Sequence, residues 1–308
     1  MTASSAPNAA PGAPACTTAP GMRRPAVRRS GGPVPPGYPQ SSMSNALVIT
    51  APGINCDLEL VEVFRLAGAE VESILLKRLA AEPGLIERFD VIGIPGGFSY
   101  GDDVAAGRIM AQLIRRSIYP QLAAAVQRGV PIICPCNGFQ IAVQAGLLPG
   151  PAAGARWPEE PPRPTIALGD NDSARFSDRW VRVEIPQGTR CLWTGGLQAA
   201  DEVRLLPIAH GEGRFICEPQ LLRELDAAGQ IALRYAADDN PNGSIGHVAG
   251  ICDASGLVFG LMPHPERYTR WTQHPWWTRL GRELTSGEPL GLAMFRKVVR
   301  LAASRSGG

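Results

Sequence analysis

Only two lysines, Lys77 and Lys297, occur in the 308 residues. Neither follows a glycine-rich turn, and there is no G-x-x-x-x-G-K-[ST] stretch, so a P-loop phosphate cradle is excluded. Long apolar runs are also missing. No stretch of roughly 18 apolar residues occurs, which excludes an apolar spanning helix. Charge is nearly balanced at +2, leaving no electrostatic case for nucleic acid or a membrane surface as partner. Cysteines are few, odd in number and scattered: Cys16, Cys56, Cys134, Cys136, Cys191, Cys217 and Cys252. That pattern argues against a disulfide framework and for a reducing cytoplasm.

The first 42 residues contain no Asp, Glu or Lys, but nine prolines and four arginines. Without helical or strand periodicity they cannot bury enough apolar surface to order themselves. They also lack the apolar core of a secretory signal. Residues 1–43 are therefore read as a disordered Pro/Arg-rich extension, with Met43 as a candidate start. Residues 44–304 are read as a single domain. Removing the four arginine charges from +2 leaves −2 for the remainder.

From residue 45 onward strands and helices alternate. The runs 45–50, 70–76, 89–95 and 131–134 read as buried strands. The stretch 57–69 carries Leu60, Val61, Phe64 and Ala67 at helical spacing, with Asp57 and Glu59 where a helix dipole favours them. The stretch 107–129 reads as a helix interrupted at Pro120. Repeated strand–helix units predict an α/β fold with an open, mostly parallel sheet and helices on both faces. The second half is richer in strands, at 179–186, 203–209, 230–236, 247–253 and 256–262, and closes on a helix bearing Leu290, Met294, Val298 and Leu301. The six prolines of 149–165 mark a surface loop. In such sheets ligands sit beyond the carboxyl ends of the strands. The loops 51–57, 95–107 and 134–138 fall there.

In "IICPCNGFQ" a short strand turns sharply at Pro135-Cys136-Asn137-Gly138 into a helix. A cysteine on such a corner is exposed above the sheet, and the helix N-terminus favours its thiolate. The following N–H, that of Asn137, can face a developing oxyanion. A small buried hydrophobe is the other reading of a cysteine there. Cys134 and Cys136 could also form half of a metal site, which needs two more ligands. A nucleophile needs a base and the base an orienter. Of the four histidines, His264 follows an apolar strand directly, and Glu266 lies two residues on across Pro265. In an extended segment those two side chains share a side. A capped strand end with a solvated turn is the alternative. The third piece is Pro95-Gly96-Gly97 at a strand end, either an anion-facing turn or an ordinary one.

Together these pieces resemble a class I, triad-type glutamine amidotransferase, and more narrowly the small glutaminase subunit family of phosphoribosylformylglycinamidine synthase. The likeness runs from about 47 to 302, through "APGINCD", "IPGGFSYGDD", "CNGFQ", "NDSARFSDRWVRVEI", "HGEGRF", "NPNGS" and "MPHPER". It implies a flavodoxin-like sheet of the class I glutaminase fold. It implies Cys136 as nucleophile, His264 as general base and acid, and Glu266 as its orienter. It implies oxyanion donors at Gly97 and Asn137, and a glutamine pocket shaped by Gly96, Phe98, Ser99, Tyr100, Asn137 and Gln140. "HGEGRF" and "NPNGS" would border that pocket or contact the synthetase. The chain then hydrolyses glutamine and passes ammonia to a large ATP-dependent synthetase subunit, with a small bridging subunit completing the complex. No metal or cofactor is expected in this chain, since ATP and magnesium belong to the synthetase. The chain departs from the family at Cys134, where glycine is usual, at Pro135, at "GDDVAAG", and in the length of loop 149–165. The competing expectations are a glutaminase for another synthetase, a cysteine hydrolase or chaperone-like protein of a related α/β fold, and a non-catalytic allosteric subunit.

Overall fold

The computed structural model describes residues 43–306; the Pro/Arg-rich segment 1–42 lies outside them. Strand β1 (Asn45–Thr50) leads through helix α1 (Asp57–Ala67) to β2 (Glu70–Leu75). Helix α2 (Leu76–Ala81) precedes β3 (Val91–Gly93), and α3 (Arg108–Ser117) and α4 (Tyr119–Gln127) precede β4 (Ile132–Pro135). Helix α5 (Asn137–Ala145) starts at once after β4. The second half contains β5 (Ile166–Asp170), β6 (Ser177–Glu184), β7 (Leu205–His210), β8 (Glu212–Cys217) and α6 (Pro219–Ala227). It continues with β9 (Ile231–Tyr235), β10 (Val248–Cys252), β11 (Val258–Leu261) and α7 (Leu290–Ser306).

Nine strands form one sheet in the order β2-β1-β3-β4-β11-β10-β9-β6-β7. The pairs from β2 to β11 are parallel. Those from β11 to β7 are antiparallel, so the strand-rich second half extends the parallel sheet rather than forming one of its own. Strands β5 and β8 form a separate antiparallel pair, which sequence patterning did not single out. The helical stretch 107–129 is two helices joined at Ile118, with Pro120 inside the first turn of the second. Proline is tolerated there because a first-turn N–H has no helical acceptor.

Burial on both faces explains the continuous apolar strands. In β1, Ala46 and Val48 enter one core layer while Leu47 and Ile49 enter the other. Helices α1 and α7 cover the first layer, where Phe64 meets Phe295 edge to face at 5.1 Å. Helices α3, α4 and α5 cover the second. Helix α1 has Asp57 and Glu59 in its first turn and ends on Gly68 in the left-handed region, φ 104°. The proline-rich segment 149–165 lies across the α3–α5 side: Arg115 donates to the carbonyls of Pro161 and Pro162 at 2.9 and 2.8 Å, and Trp157 packs near Tyr119.

Candidate active site

The parallel register puts the carboxyl ends of β4 and β11 side by side, with Pro135 opposite Leu261. The chain leaves β4 into Cys136 and leaves β11 toward His264. Two hydrogen bonds fix the junction: Cys136 N–H donates to Leu261 O at 2.7 Å, and His264 N–H donates to Pro207 O at 2.8 Å. Residues distant in sequence thus meet because neighbouring strands end together.

Cys136 adopts φ 50°, ψ −110°, a conformation rare for a non-glycine residue. Its carbonyl accepts from the N–H groups of Phe139 and Gln140 at 2.9 and 3.2 Å, which anchors the strained residue to α5. Gly138 is required beside it, because a Cβ there would run into the carbonyl oxygen of Ile94. The Cys136 thiol is almost buried and donates to the carbonyl of Ala209, at 3.6 Å.

His264 and Glu266 are both buried, and Nδ1 of the imidazole lies 2.6 Å from Oε1 of the carboxylate. Burial alone would push the His264 imidazolium down. The charges of Glu266 and Cys136 and the contacts with Cys136 and Cys56 outweigh it, so His264 holds its proton well above the ordinary histidine range. Its Nε2 is buried and has no oxygen or nitrogen partner among the described residues.

Gly96 lies at the centre of the group. A Cβ there would come within 2.8 Å of His264 Cε1 and 3.3 Å of both Cys136 Cβ and Cys56 Sγ. The next residue, Gly97, has φ 133° and sits against Ile54 and Asn55, where a Cβ would lie 2.6 Å from Asn55 N. The N–H groups of Gly97 and Asn137 donate no hydrogen bond among the described residues. Two free backbone donors therefore flank the thiol.

The Asn137 side chain does something its sequence position did not disclose. It is fully buried and ties the glycine-rich loop to α5: Oδ1 accepts from Ser99 N–H at 3.2 Å, and Nδ2 donates to Asp102 at 3.2 Å and to Gln140 Oε1 at 2.9 Å. Gln140 in turn donates to the carbonyl of Glu212. Burial raises the Asp102 carboxyl, opposed by donors from Gly107 and Asn137. Phe98 is 46% exposed and stacks on Phe176 at 6.5 Å at the mouth.

Two lobes meet at Cys136. The larger, about 430 Å³, is bordered by Gln140, Asp170, Arg175, His210 and Glu212. The smaller, about 180 Å³, is bordered by Cys56, Asp178, His264 and Arg267. Gly97, Phe98 and Cys136 belong to both. Of the ten residues expected from sequence, Gly97, Phe98, Cys136 and Gln140 border the larger lobe, His264 the smaller, and Gly96, Glu266 and Asn137 pack directly behind them. Ser99 and Tyr100 border neither lobe, Ser99 being buried against Asn137 and Tyr100 packed on the core.

Cys56, Arg175, Phe176 and Arg267 were not expected there. They sit in "INCD", "ARFSD" and "MPHPER", which the sequence marks as motifs without assigning each side chain a role. Arg267 donates to Cys56 Sγ at 3.0 Å. Cys56 Sγ, a His264 nitrogen and a Glu266 oxygen lie within 4.8 Å of one another. Cys134 does not join them: it is fully buried in the core below the corner, and desolvation pushes its thiol far up. It is neither a second reactive thiol nor a partner of Cys136 in a metal pair. "NPNGS" forms a buried bracket behind "HGEGRF". Asn242 Nδ2 donates to Gly213 O at 2.8 Å, and Ser244 Oγ accepts from Phe215 N–H at 2.9 Å.

Residues 43–301 match the CobB/CobQ-like glutamine amidotransferase domain. A phosphoribosylformylglycinamidine synthase subunit PurQ from Dehalococcoides mccartyi is 37% identical over 268 residues, 85% of this chain and 98% of the relative. The same subunit from Thermomicrobium roseum is 40% identical over 228 residues, covering 71% and 86%. Among solved structures, a chain of PurLQS from Thermotoga maritima matches with a TM-score of 0.62 at 29% identity, over 84% of this chain and 99% of that one. The sheet, the strained cysteine corner and relatives matched over nearly their full length all agree: the chain belongs to the PurQ family of glutamine amidotransferases.

Proposed function

We propose that Cys136, His264 and Glu266 form the catalytic triad of a glutaminase. The chain is the glutamine-hydrolysing subunit of a phosphoribosylformylglycinamidine synthase. The observation that carries the triad is the junction itself. A strained thiol faces a buried imidazole held by a carboxylate at 2.6 Å, between two unengaged N–H groups.

The Cys136 thiolate attacks the side-chain carbonyl carbon of glutamine. Oxygen takes up the negative charge and meets the N–H groups of Gly97 and Asn137, each donor of this kind being worth roughly 3 kcal/mol. Protonated His264 gives its Nε2 proton to the departing nitrogen, which leaves as ammonia. The neutral imidazole then takes a proton from water, hydroxide attacks the thioester carbon, and the thiolate departs with glutamate as product. Glu266 keeps Nδ1 protonated, so that Nε2 is the atom that exchanges protons. In the larger lobe Arg175 suits the α-carboxylate, and Asp170 and Glu212 suit the α-ammonium. A cavity of about 430 Å³ accommodates one amino acid.

Ammonia passes to a large synthetase subunit, which uses ATP and magnesium to convert formylglycinamide ribonucleotide to its amidine. A small bridging subunit completes the assembly, in the cytoplasm. The absence of a P-loop lysine in this chain agrees with that division, and among the described residues no helix is long and apolar enough to cross a membrane.

The test is amidine formation by the assembled enzyme with glutamine or ammonia as nitrogen source. Cys136→Ala should abolish glutamine use and leave ammonia use intact. Glutamine use that survives in Cys136→Ala would remove the thiol from the mechanism.

A further inference from the structure

His210 is buried in the wall of the larger lobe, next in sequence to the Ala209 carbonyl that accepts from the Cys136 thiol. The mechanism above leaves its ring unused. The surroundings fix its tautomer. Asn171 donates through Nδ2 to the carbonyls of Arg175 and His210 at 2.8 and 2.9 Å, which settles the orientation of its amide. Asn171 Oδ1 is therefore the atom 3.0 Å from His210 Nδ1, and a carbonyl oxygen can only accept. Nδ1 carries the proton, and Nε2 is left with a bare lone pair. That Nε2 is buried and has no hydrogen-bond partner among the described residues. Burial and the charge of His264 keep the ring neutral, with its pKa lowered to about 4. Gly213 makes room for it, since a Cβ there would overlap the ring.

A buried acceptor without a partner is costly unless a ligand supplies the donor. The α-ammonium of glutamine has Asp170 and Glu212 in the same lobe. The carboxamide N–H₂ has no such carboxylate assigned to it. We propose that His210 Nε2 accepts a hydrogen bond from the carboxamide N–H₂ of glutamine and thereby distinguishes substrate from product. Glutamine and glutamate differ only at this group. A neutral imidazole lone pair attracts an N–H and repels a carboxylate oxygen, so the contact that recognises the substrate also helps expel glutamate. This inference rests on the glutaminase reading.

The test compares L-glutamine with L-glutamate γ-methyl ester, whose leaving group has no N–H, by glutamate release from the assembled synthetase. His210→Leu should lower kcat/KM for glutamine roughly tenfold to a hundredfold and leave kcat/KM for the ester within about twofold. His210→Gln, which returns an acceptor near the Nε2 position, should recover most of the loss. Should His210→Leu fail to fold, His210→Asn takes its place, because its shorter amide reaches only the Nδ1 end. Equal losses on both substrates, or no loss on glutamine, would overturn the assignment. Cys136→Ala run alongside separates the two readings: it should be inactive on both substrates whatever His210 does, and activity there would count against the triad and not against His210.

Discussion

The same histidine makes the stability of this protein sensitive to acid. In the folded chain burial lowers the His210 pKa to about 4, against an ordinary value of 6.5. Between those values the unfolded chain binds a proton at this residue and the folded chain does not, so acid favours unfolding. The sign is thus a loss of stability as pH falls below 6.5, levelling off below about 4. Linkage puts the cost at about 2 kcal/mol at pH 5 and about 3 kcal/mol at pH 4. His210→Gln removes the proton site. Urea unfolding of both proteins at pH 7.5, 6 and 5 isolates the effect, because carboxylates common to both cancel in the difference. The variant should gain about 2 kcal/mol relative to wild type between pH 7.5 and pH 5, whatever its stability at neutral pH. Parallel pH dependences in the two proteins would show that the ring is protonated in the folded chain, and would also undo the tautomer assigned to it.

Two further substitutions address the catalytic group. Glu266→Gln removes the charge that holds the His264 proton, so its imidazole should titrate lower by NMR, and glutamine-dependent turnover should fall by roughly 10²–10⁴ while ammonia-dependent turnover persists; an unmoved His264 titration would contradict the role given to the carboxylate. Gly97→Ala places a Cβ 2.6 Å from Asn55 N, which displaces an oxyanion donor. kcat for glutamine should drop by roughly 10²–10³ and the urea midpoint should fall as well, because φ 133° and the backbone of Ile54 and Asn55 both oppose a Cβ; full activity would mean that another donor holds the oxyanion.

Much of this was legible in the chain itself. Strand–helix alternation with runs apolar on both faces dictates a sheet buried on both sides, and β1 shows why: consecutive residues Ala46 and Leu47 enter opposite layers. The corner at Cys136 was legible because few residue types tolerate such a turn between strand and helix, and Gly138 is needed for the helix to approach Ile94. His264 and Glu266 were legible as a pair because two residues apart is a local distance. Strands β5 and β8 were not, since their pairing joins segments more than 40 residues apart around a partly exposed edge, where periodicity is weak.

Local chemistry thus determined the elements, the strained corner and the candidate triad members. Only the tertiary structure decided that β4 and β11 lie adjacent and parallel, which brings Cys136 to His264 across more than a hundred residues. It alone decided that Cys134 packs in the core while Cys56 stands beside the imidazole, although both are cysteines near strand ends. It also set the protonation of His264 and His210 in opposite directions. The reason is that a side chain's charge state depends on which groups surround it in space. Glu266 and the thiols face one imidazole, whereas an amide oxygen and apolar burial surround the other.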